Sequence, residues 1–461
     1  MKNLTRSSFA ILCCVAAITF TSCSNDDDDI TDGGDSDPVV AGYIYTTTNG
    51  QGENQVIRFE RMDDGSLRNE TAFPTGSNGG ANISVGGDAF GDYDSQGAIR
   101  IIGDYFLTVN SGGNTVSVFS LDKTNGNLTR VANTNSGGTR PVSITSTPVS
   151  GSTTEFWVVV GNQWNNPNVQ GSGADLRRFP NDAFHMMDLT QPDATDQERN
   201  IQLFRFNTTN GSLTSVSQLD NYVRENGGPV NVTFSEDGSK LAVSLWGVAH
   251  FGTDSPSLEE QRPSRVYVYD FNNGTASNGR FFQEEGIAGT IGIDWARGSN
   301  SLLYSTNFNT TIAKTNNSLT VLLDNGSSVT KSGNFATSTA DDLDEACWTA
   351  VSPSGDRLYV ASFGSNVITP FALGASGNVT STLPVEAREG NAPPADSKDV
   401  WVTPNNQYLY HLGAFQSFSM NIFDITQSGV DYREQIVLQT TQSGLGQPGA
   451  FNFLGLTGFD L

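Results

Sequence analysis

The chain contains only three histidines, and two of them fall in long polar segments of an otherwise regular sequence. His185 lies in segment 163–199 and His250 lies in segment 247–263. Because histidine titrates near neutral pH, either side chain could act as a general base that activates water. Arg262 belongs to the same segment as His250, and a guanidinium group can stabilise a developing oxyanion. These residue types predict hydrolytic chemistry, with His250 as the base and Arg262 as its electrostatic partner.

Two further residues complete the predicted catalytic set. Arg140 stands directly before an apolar run and offers a second cation for the oxyanion. Glu225 stands shortly before the next such run and could orient the base or replace it. For each of these residues, the alternative is a solvated surface side chain or plain loop decoration. Residues of the two segments predicted to contact a ligand are Trp164, Arg177, His185 and Phe251.

The remaining histidine and the acidic residues suggest other roles. His411 lies inside an alternating apolar run, which predicts packing. Glu345 and Asp396 stand where the chain approaches an apolar run, and carboxylates converging there could hold Ca²⁺, which prefers oxygen ligands. The spacing matches no calcium-loop motif, so we expect that no cofactor is required and that Ca²⁺ is a secondary hypothesis.

The charge of the chain excludes one class of partner. The 461 residues include 49 acidic and 25 basic side chains, which gives a formal net charge of −24. A nucleic-acid binder needs a positive face, so DNA and RNA are not expected partners. A small molecule or a glycan is the expected ligand, and we expect a monomer.

The first 41 residues are not expected to belong to the fold. Lys2 and Arg6 precede an apolar stretch that is too short to span a membrane, and small residues then lead to Cys23. This order resembles the lipobox of bacterial lipoproteins, which implies a signal peptide over 1–22 and lipidation of Cys23. The alternative is an ordinary secreted protein with a chance cysteine. The acidic run 26–29 is similar to the export signal of Bacteroidota surface lipoproteins, and 23–41 is predicted to be a disordered tether. The resemblance implies an outer-membrane lipoprotein exposed at the cell surface and held by its lipid anchor alone.

The rest of the chain consists of copies of one sequence repeat, and each copy contains four short segments rich in β-branched and aromatic residues. Residues 141–147, 156–161, 201–207 and 213–219 form one copy, separated by turns rich in Gly and Asn. The copy at the start of the region lacks the first of the four segments, and the last residues, 456–461, form a first segment with nothing after it. The sequence therefore predicts an all-β, seven-bladed β-propeller over 42–461, with four antiparallel strands per blade. We expect the C-terminal strand to join the N-terminal blade and close the ring.

The amino-acid sequence of the repeats resembles that of a known superfamily. The stretches "GGTRPVSI" and "CWTAVSPSGDRLYVASFGSNVITPF" are similar to lactonase-type seven-bladed propellers, which include 6-phosphogluconolactonases and carboxymuconate-cyclizing enzymes. The resemblance covers nearly all of 42–461. Cytosolic members carry an Arg-His pair and an Asn-Glu pair where this chain has Val230 with Asn231 and Leu245 with Trp246. That departure argues against a sugar-phosphate lactone as the substrate.

Two functions remain open from the sequence. The resemblance implies hydrolysis or isomerisation of a lactone or sugar-acid-type molecule at the face that carries segments 163–199 and 247–263. The alternative is a non-catalytic propeller that binds glycans or an envelope protein through aromatic residues of those segments.

Overall fold

Short runs of β-branched and aromatic residues form antiparallel hairpins through most of the chain, because turns rich in Gly, Asn and Asp separate them. The computed structural model describes residues 37–461 apart from 51, 81, 84–88, 91–94, 164–198, 224–225, 248–261, 338–344, 389–395, 415 and 440–452. For residues 82, 83, 89 and 90 it describes the backbone alone. Val39–Leu461 forms one compact unit.

The described residues form seven blades of four antiparallel strands, as predicted. Blade 1 consists of β1 (Val40–Thr47), β2 (Glu53–Met62), β3 (Leu67–Asn78) and the C-terminal β31 (Leu454–Asp460). Blade 2 consists of β6 (Ile99–Ile102), β7 (Tyr105–Asn110), β8 (Thr115–Asp122) and β9 (Asn127–Asn135). Blade 3 consists of β10 (Pro141–Pro148), β11 (Glu155–Asn162), β12 (Asn200–Asn207) and β13 (Ser212–Asn221).

The other blades repeat the same order. Blade 4 consists of β14 (Pro229–Phe234), β15 (Lys240–Leu245), β16 (Arg265–Asn272) and β17 (Thr275–Phe282). Blade 5 consists of β18 (Ile287–Trp295), β19 (Leu302–Thr310), β20 (Leu319–Asp324) and β21 (Val329–Phe335). Blade 6 consists of β22 (Ala346–Val351), β23 (Arg357–Ser362), β24 (Val367–Leu373), β25 (Val379–Thr382) and β26 (Glu386–Ala387). Blade 7 consists of β27 (Ser397–Val402), β28 (Tyr408–Gly413), β29 (Ser419–Ile425) and β30 (Val430–Val437).

Two small elements lie outside this pattern. A two-stranded hairpin, β4 (Asn82–Ile83) with β5 (Ala89–Phe90), connects blades 1 and 2, and a 3-10 helix (Ile312–Asn317) connects β19 to β20. The outer strand of blade 6 is divided in two, since β25 and β26 pair separately with β24. Pro384 lies between them and has no N–H to donate to a sheet. The described part of the chain includes no helix with the length and apolar character needed to cross a bilayer.

The ring has two distinct ends. We call the end at which the innermost strands begin the upper face, and the opposite end the lower face. The upper face carries the connections from the second to the third strand and from each blade to the next. The innermost strands enclose a central channel; they are β31, β6, β10, β14, β18, β22 and β27.

The C-terminal strand closes the ring, as predicted. β31 pairs with β1 in antiparallel register, from Gly42 opposite Asp460 to Thr47 opposite Leu454. The guanidinium group of Arg61 on β2 bonds the Asp460 carboxylate at 2.5 Å and is almost fully buried. Blade 1 is therefore built from both ends of the chain, which leaves the propeller no open edge between its first and last blades.

Aromatic side chains fasten one blade to the next. The Tyr45 hydroxyl of blade 1 donates to the carbonyl of Gly126 in blade 2 at 2.7 Å. The Tyr410 hydroxyl of blade 7 makes the same bond to Gly65 of blade 1 at 2.7 Å. Tyr304 of blade 5 makes it to Gly377 of blade 6. The accepting glycines lie in the outer turns with positive φ, so the repeated turn sequence serves contact between blades as well as chain reversal.

Candidate functional site at the upper face

Arg140 is held at the start of an innermost strand by its own backbone. It adopts a φ of +60°, its N–H donates to the Asn114 side chain at 2.7 Å, and its carbonyl accepts from Gln163 N–H at 2.9 Å. Only 1% of the residue is exposed. Arg140 therefore belongs to the wall of the upper face and not to its solvated rim.

A row of backbone contacts leads from Arg140 to Arg262. Gln163 lies so close to Gly228 that a methyl group on that glycine would come within 2.0 Å of the Gln163 carbonyl oxygen. Gly228 in turn accepts from Trp246 N–H at 3.3 Å. The next residue, Gly247, lies against the Arg262 backbone, and Arg262 itself is exposed. The structure thus places Arg140 and Arg262 on one face, in adjacent blades, without bringing them into direct contact.

Most of the predicted contact residues fall outside the described residues. These are His250 and Glu225 of the catalytic set, and Trp164, Arg177, His185 and Phe251 of the ligand-binding set. The described ends of the two segments, Gln163 with Arg199 and Gly247 with Arg262, all lie at the upper face of blades 3 and 4. The roles of these six residues stay predictions.

The two acids predicted as metal ligands are engaged with the protein. Asp396 is fully buried, bonds Arg388 at 3.0 Å, and accepts from the backbone N–H of Gln416 at 2.6 Å and of Ser417 at 3.2 Å. Glu345 has a φ of +55°, and its backbone carbonyl accepts from Phe363 N–H at 2.8 Å. Among the described residues, no group of three or more His, Cys, Asp or Glu side chains is arranged to hold a metal ion. Calcium at Glu345 and Asp396 stays a prediction.

His411 lies in β28 and is completely buried, as its alternating run predicts. Neither ring nitrogen has a hydrogen-bond partner, and the ring meets Phe423 edge-on with centroids 6.4 Å apart. Burial, assisted by the nearby Arg388, lowers the pKa of His411 well below its usual range. The imidazole is therefore neutral and serves packing between blades 6 and 7. The thiol of Cys347 is also buried.

Ser95–Gly97 crosses the upper end of the channel, a feature that the repeat pattern does not predict. The carbonyl of Gln96 accepts from Ser143 Oγ at 2.7 Å and from Asn231 Nδ2 at 2.8 Å, in blades 3 and 4. Its side chain bonds Thr349 in blade 6, where the backbone N–H donates to Gln96 Oε1 at 2.8 Å. Trp348 Nε1 donates to the Ser95 carbonyl at 2.9 Å. Because this segment is polar and crosses the upper end of the channel, we call Ser95–Gly97 the floor of the upper face.

Two acids lie on the channel wall beneath that floor. Burial raises the pKa of Asp399 to about 7, and the nearby Asp294 carboxylate adds to the shift while Lys398 opposes it. Burial also raises the pKa of Asp294 to about 6, although its hydrogen bond from Thr349 at 2.8 Å and the charge of Arg297 act to lower it. Asp294 lies in β18 and Asp399 in β27, so the two carboxyl groups reach the channel from different blades.

Asn231 occupies the position where the resemblance places a histidine. Its amide nitrogen is committed to the Gln96 carbonyl, and the neighbouring Val230 is completely buried. Leu245 and Trp246, at the other departure, are buried as well. At the positions of the Arg-His and Asn-Glu pairs, this chain therefore has three buried apolar side chains and one amide that bonds the Gln96 carbonyl.

Solved structures similar to this chain include two proteins named as lactonases. The periplasmic gluconolactonase of Pseudomonas aeruginosa superposes with a TM-score of 0.58 at 15% identity, over 90% of this chain and 99% of that one. A putative 6-phosphogluconolactonase of Bacteroides fragilis gives 0.54 at 14% identity, over 94% and 99%. A Lactobacillus plantarum protein gives 0.59 at 13% identity, over 91% and 99%.

The chain shares the fold of these solved structures, and in this chain that fold is a seven-bladed β-propeller. No family model matches the sequence, and no curated protein sequence matches it. At 13–15% identity these likenesses establish the fold alone.

Proposed function

We propose that the protein is a cell-envelope lipoprotein that opens a lactone or a related sugar-acid derivative at its upper face. One observation carries the proposal. The row from Arg140 through Gln163 and Gly228 to Arg262 joins the bases of both long segments into one wall. A ligand resting on this wall would lie between the bases of the two segments whose sequences contain His185 and His250.

The chemistry assigns distinct roles to the two arginines. His250 takes a proton from water as the oxygen attacks the lactone carbonyl carbon. Arg262, which is exposed, stabilises the resulting oxyanion, while the buried Arg140 shapes the wall beneath it. Collapse of the tetrahedral intermediate breaks the ring C–O bond, and the proton passes from His250 to the leaving oxygen. The product is an open hydroxy acid.

The fold supports the substrate class without fixing the substrate. A structural neighbour named as a periplasmic gluconolactonase works outside the cytosol, as the Cys23 lipid anchor would require of this chain. The departures at Val230, Asn231, Leu245 and Trp246 argue against a phosphorylated sugar lactone. An unphosphorylated aldonolactone is therefore the first substrate to test.

A second candidate function, non-catalytic binding of a glycan, is favoured by Asn231. In place of a histidine, that position carries an amide that donates to the floor of the face. A binding propeller needs such a rigid floor and needs no base.

The two candidates are separated by a screen of γ- and δ-lactones in a pH-stat, where each ring opening releases one proton. We expect the purified protein to exceed the spontaneous rate on at least one unphosphorylated sugar lactone. Absence of turnover on every lactone, together with saturable binding of a glycan, would establish the binding propeller instead.

A further inference from the structure

The central channel contains a cavity of about 430 Å³ directly below the floor formed by Gln96. Residues from all seven innermost strands line it, including Asn231, Asp294, Thr349 and Asp399. It belongs to the channel interior and takes no part in the proposed lactone chemistry.

Two buried oxygen atoms on this wall have no hydrogen-bond donor. Asn231 is 3% exposed; its Nδ2 faces the Gln96 carbonyl, so its Oδ1 must point the other way, and that atom has no partner. Asp399 is also 3% exposed; it accepts one bond from Gly455 N–H, and its Oδ2 has no partner. Buried acceptors without donors are costly, so each such atom calls for a ligand.

The lining of the cavity carries two acids and two arginines, and the two acids lie near each other. Asp294 and Asp399 both line the cavity and lie close enough for their charges to interact. Arg100 and Arg297 line it as well, and both arginines and Asp294 also line the neighbouring cavity toward the lower face. Arg297 is turned toward blade 6, where its Nε donates to the Ser352 carbonyl at 3.4 Å. Asn231 and Asp399, which carry the unpartnered acceptors, line this cavity and not the lower one. Asp294 is connected to the floor above them through Thr349, which bonds both Asp294 and Gln96.

We propose that a hard divalent cation, Ca²⁺, binds in the channel between Asp294 and Asp399, with Asn231 Oδ1 as a neutral ligand. Carboxylate and amide oxygens are the ligands that Ca²⁺ prefers, and water completes its shell of six to eight oxygens. A cation between the two carboxylates would remove their mutual repulsion in a poorly solvated site. The cation would join blades 4, 5 and 7 and thereby stabilise the ring.

The test is a calcium titration of the full chain after chelation and dialysis, at pH 8. We expect one Ca²⁺ per chain by calorimetry and by elemental analysis, and a melting temperature that rises on Ca²⁺ addition. Asp399→Asn should weaken the affinity at least tenfold and abolish the rise. Asp294→Asn is the second variant, measured in the same way in case Asp399→Asn does not fold. The matched control is Asp104→Asn, whose carboxylate is 78% exposed at a turn on the lower face.

Two results would overturn the proposal. One is a wild-type protein that binds no Ca²⁺ and melts at the same temperature with Ca²⁺ and with chelator, since the cavity would then hold only water. The other is unchanged calcium affinity in both Asp399→Asn and Asp294→Asn, which would place any calcium site elsewhere. Neither result bears on lactone turnover, so this inference and the proposed function can fail separately.

Discussion

Gln96 and Thr349 are 253 residues apart in the chain, yet they hydrogen-bond to each other across the central channel. Gln96 approaches from the segment that precedes blade 2, and Thr349 belongs to the innermost strand of blade 6. The bond links nearly opposite sides of the ring. The floor of the upper face is therefore tied to blade 6 in part by a side chain that the repeat pattern does not require.

Removing that side chain should destabilise the whole ring. Gln96→Ala leaves the Thr349 N–H without its acceptor, and a buried unsatisfied group costs about 1–3 kcal/mol. We expect a loss of that size in the free energy of unfolding, measured by urea denaturation. Gln427→Ala is the control, because that side chain is exposed in an outer turn of blade 7. Equal stability of Gln96→Ala and the control would mean that the floor contributes nothing to the fold.

Closure of the ring predicts a marked effect at the C-terminus. Asp460→Ala removes the partner of the almost fully buried Arg61, and hydrogen bonds to charged groups contribute about 1.5–3 kcal/mol. Deletion of Leu454–Leu461 should go further, because it opens the edge of β1 and should cause aggregation. Thermal melts and size-exclusion chromatography measure both effects. A truncated protein that stays monomeric and equally stable would contradict closure by β31.

The stability of blade 4 should depend on pH through Asp270. Burial acts to raise the pKa of Asp270, but Lys240, Asn278 and Arg280 together lower it to about 2. The carboxylate therefore stabilises the folded state above the unfolded-state pKa of roughly 3.9, and this contribution is lost as the pH falls toward 2.

Asp270→Asn should accordingly lower the melting temperature at pH 7 and differ less from wild type at pH 2. Asp431→Asn, an exposed acid on the outer strand of blade 7, is the control. The role assigned to Asp270 is wrong if its substitution lowers the melting temperature equally at both pH values.

The lipid anchor makes a separate prediction about location. Cys23→Ala should release the protein from the membrane fraction, because the thiol that carries the lipid is gone. Alanine at 26–29 should leave the protein anchored but move it from the cell surface to the inner leaflet, as judged by protease access on intact cells. A Cys23→Ala protein that still sediments with outer membranes after a carbonate wash would argue against the lipoprotein assignment.

The repeat made the fold predictable, because each copy carries its own strand periodicity and turn residues. Residues 456–461 lack a partner within their own copy, so the sequence by itself indicates ring closure. Gln96 could not be found in this way, since its partners Ser143, Asn231 and Thr349 are distant in sequence.

The two acids that line the channel, Asp294 and Asp399, are harder to recognise from the sequence. Asp294 interrupts the apolar run "IGIDWA", and Asp399 opens "DVWV", each inside an innermost strand. The predicted metal ligands were acids that precede these strands, such as Asp396, whereas acids within the strands were missed. Only the structure shows that strands of different blades bring Asp294 and Asp399 to one cavity.

The most direct test of the proposed function compares kcat/KM on an active lactone between variants of the two faces. His250→Ala should reduce kcat/KM by about 10²–10⁴-fold, the usual contribution of a positioned acid–base group. Arg262→Ala should reduce it by about 10²–10³-fold through loss of oxyanion stabilisation. Arg100→Ala, near the lower face, and His411→Ala, in the packing between blades, should leave turnover near the wild-type value wherever they fold. Full activity in both His250→Ala and Arg262→Ala would contradict catalysis at the upper face.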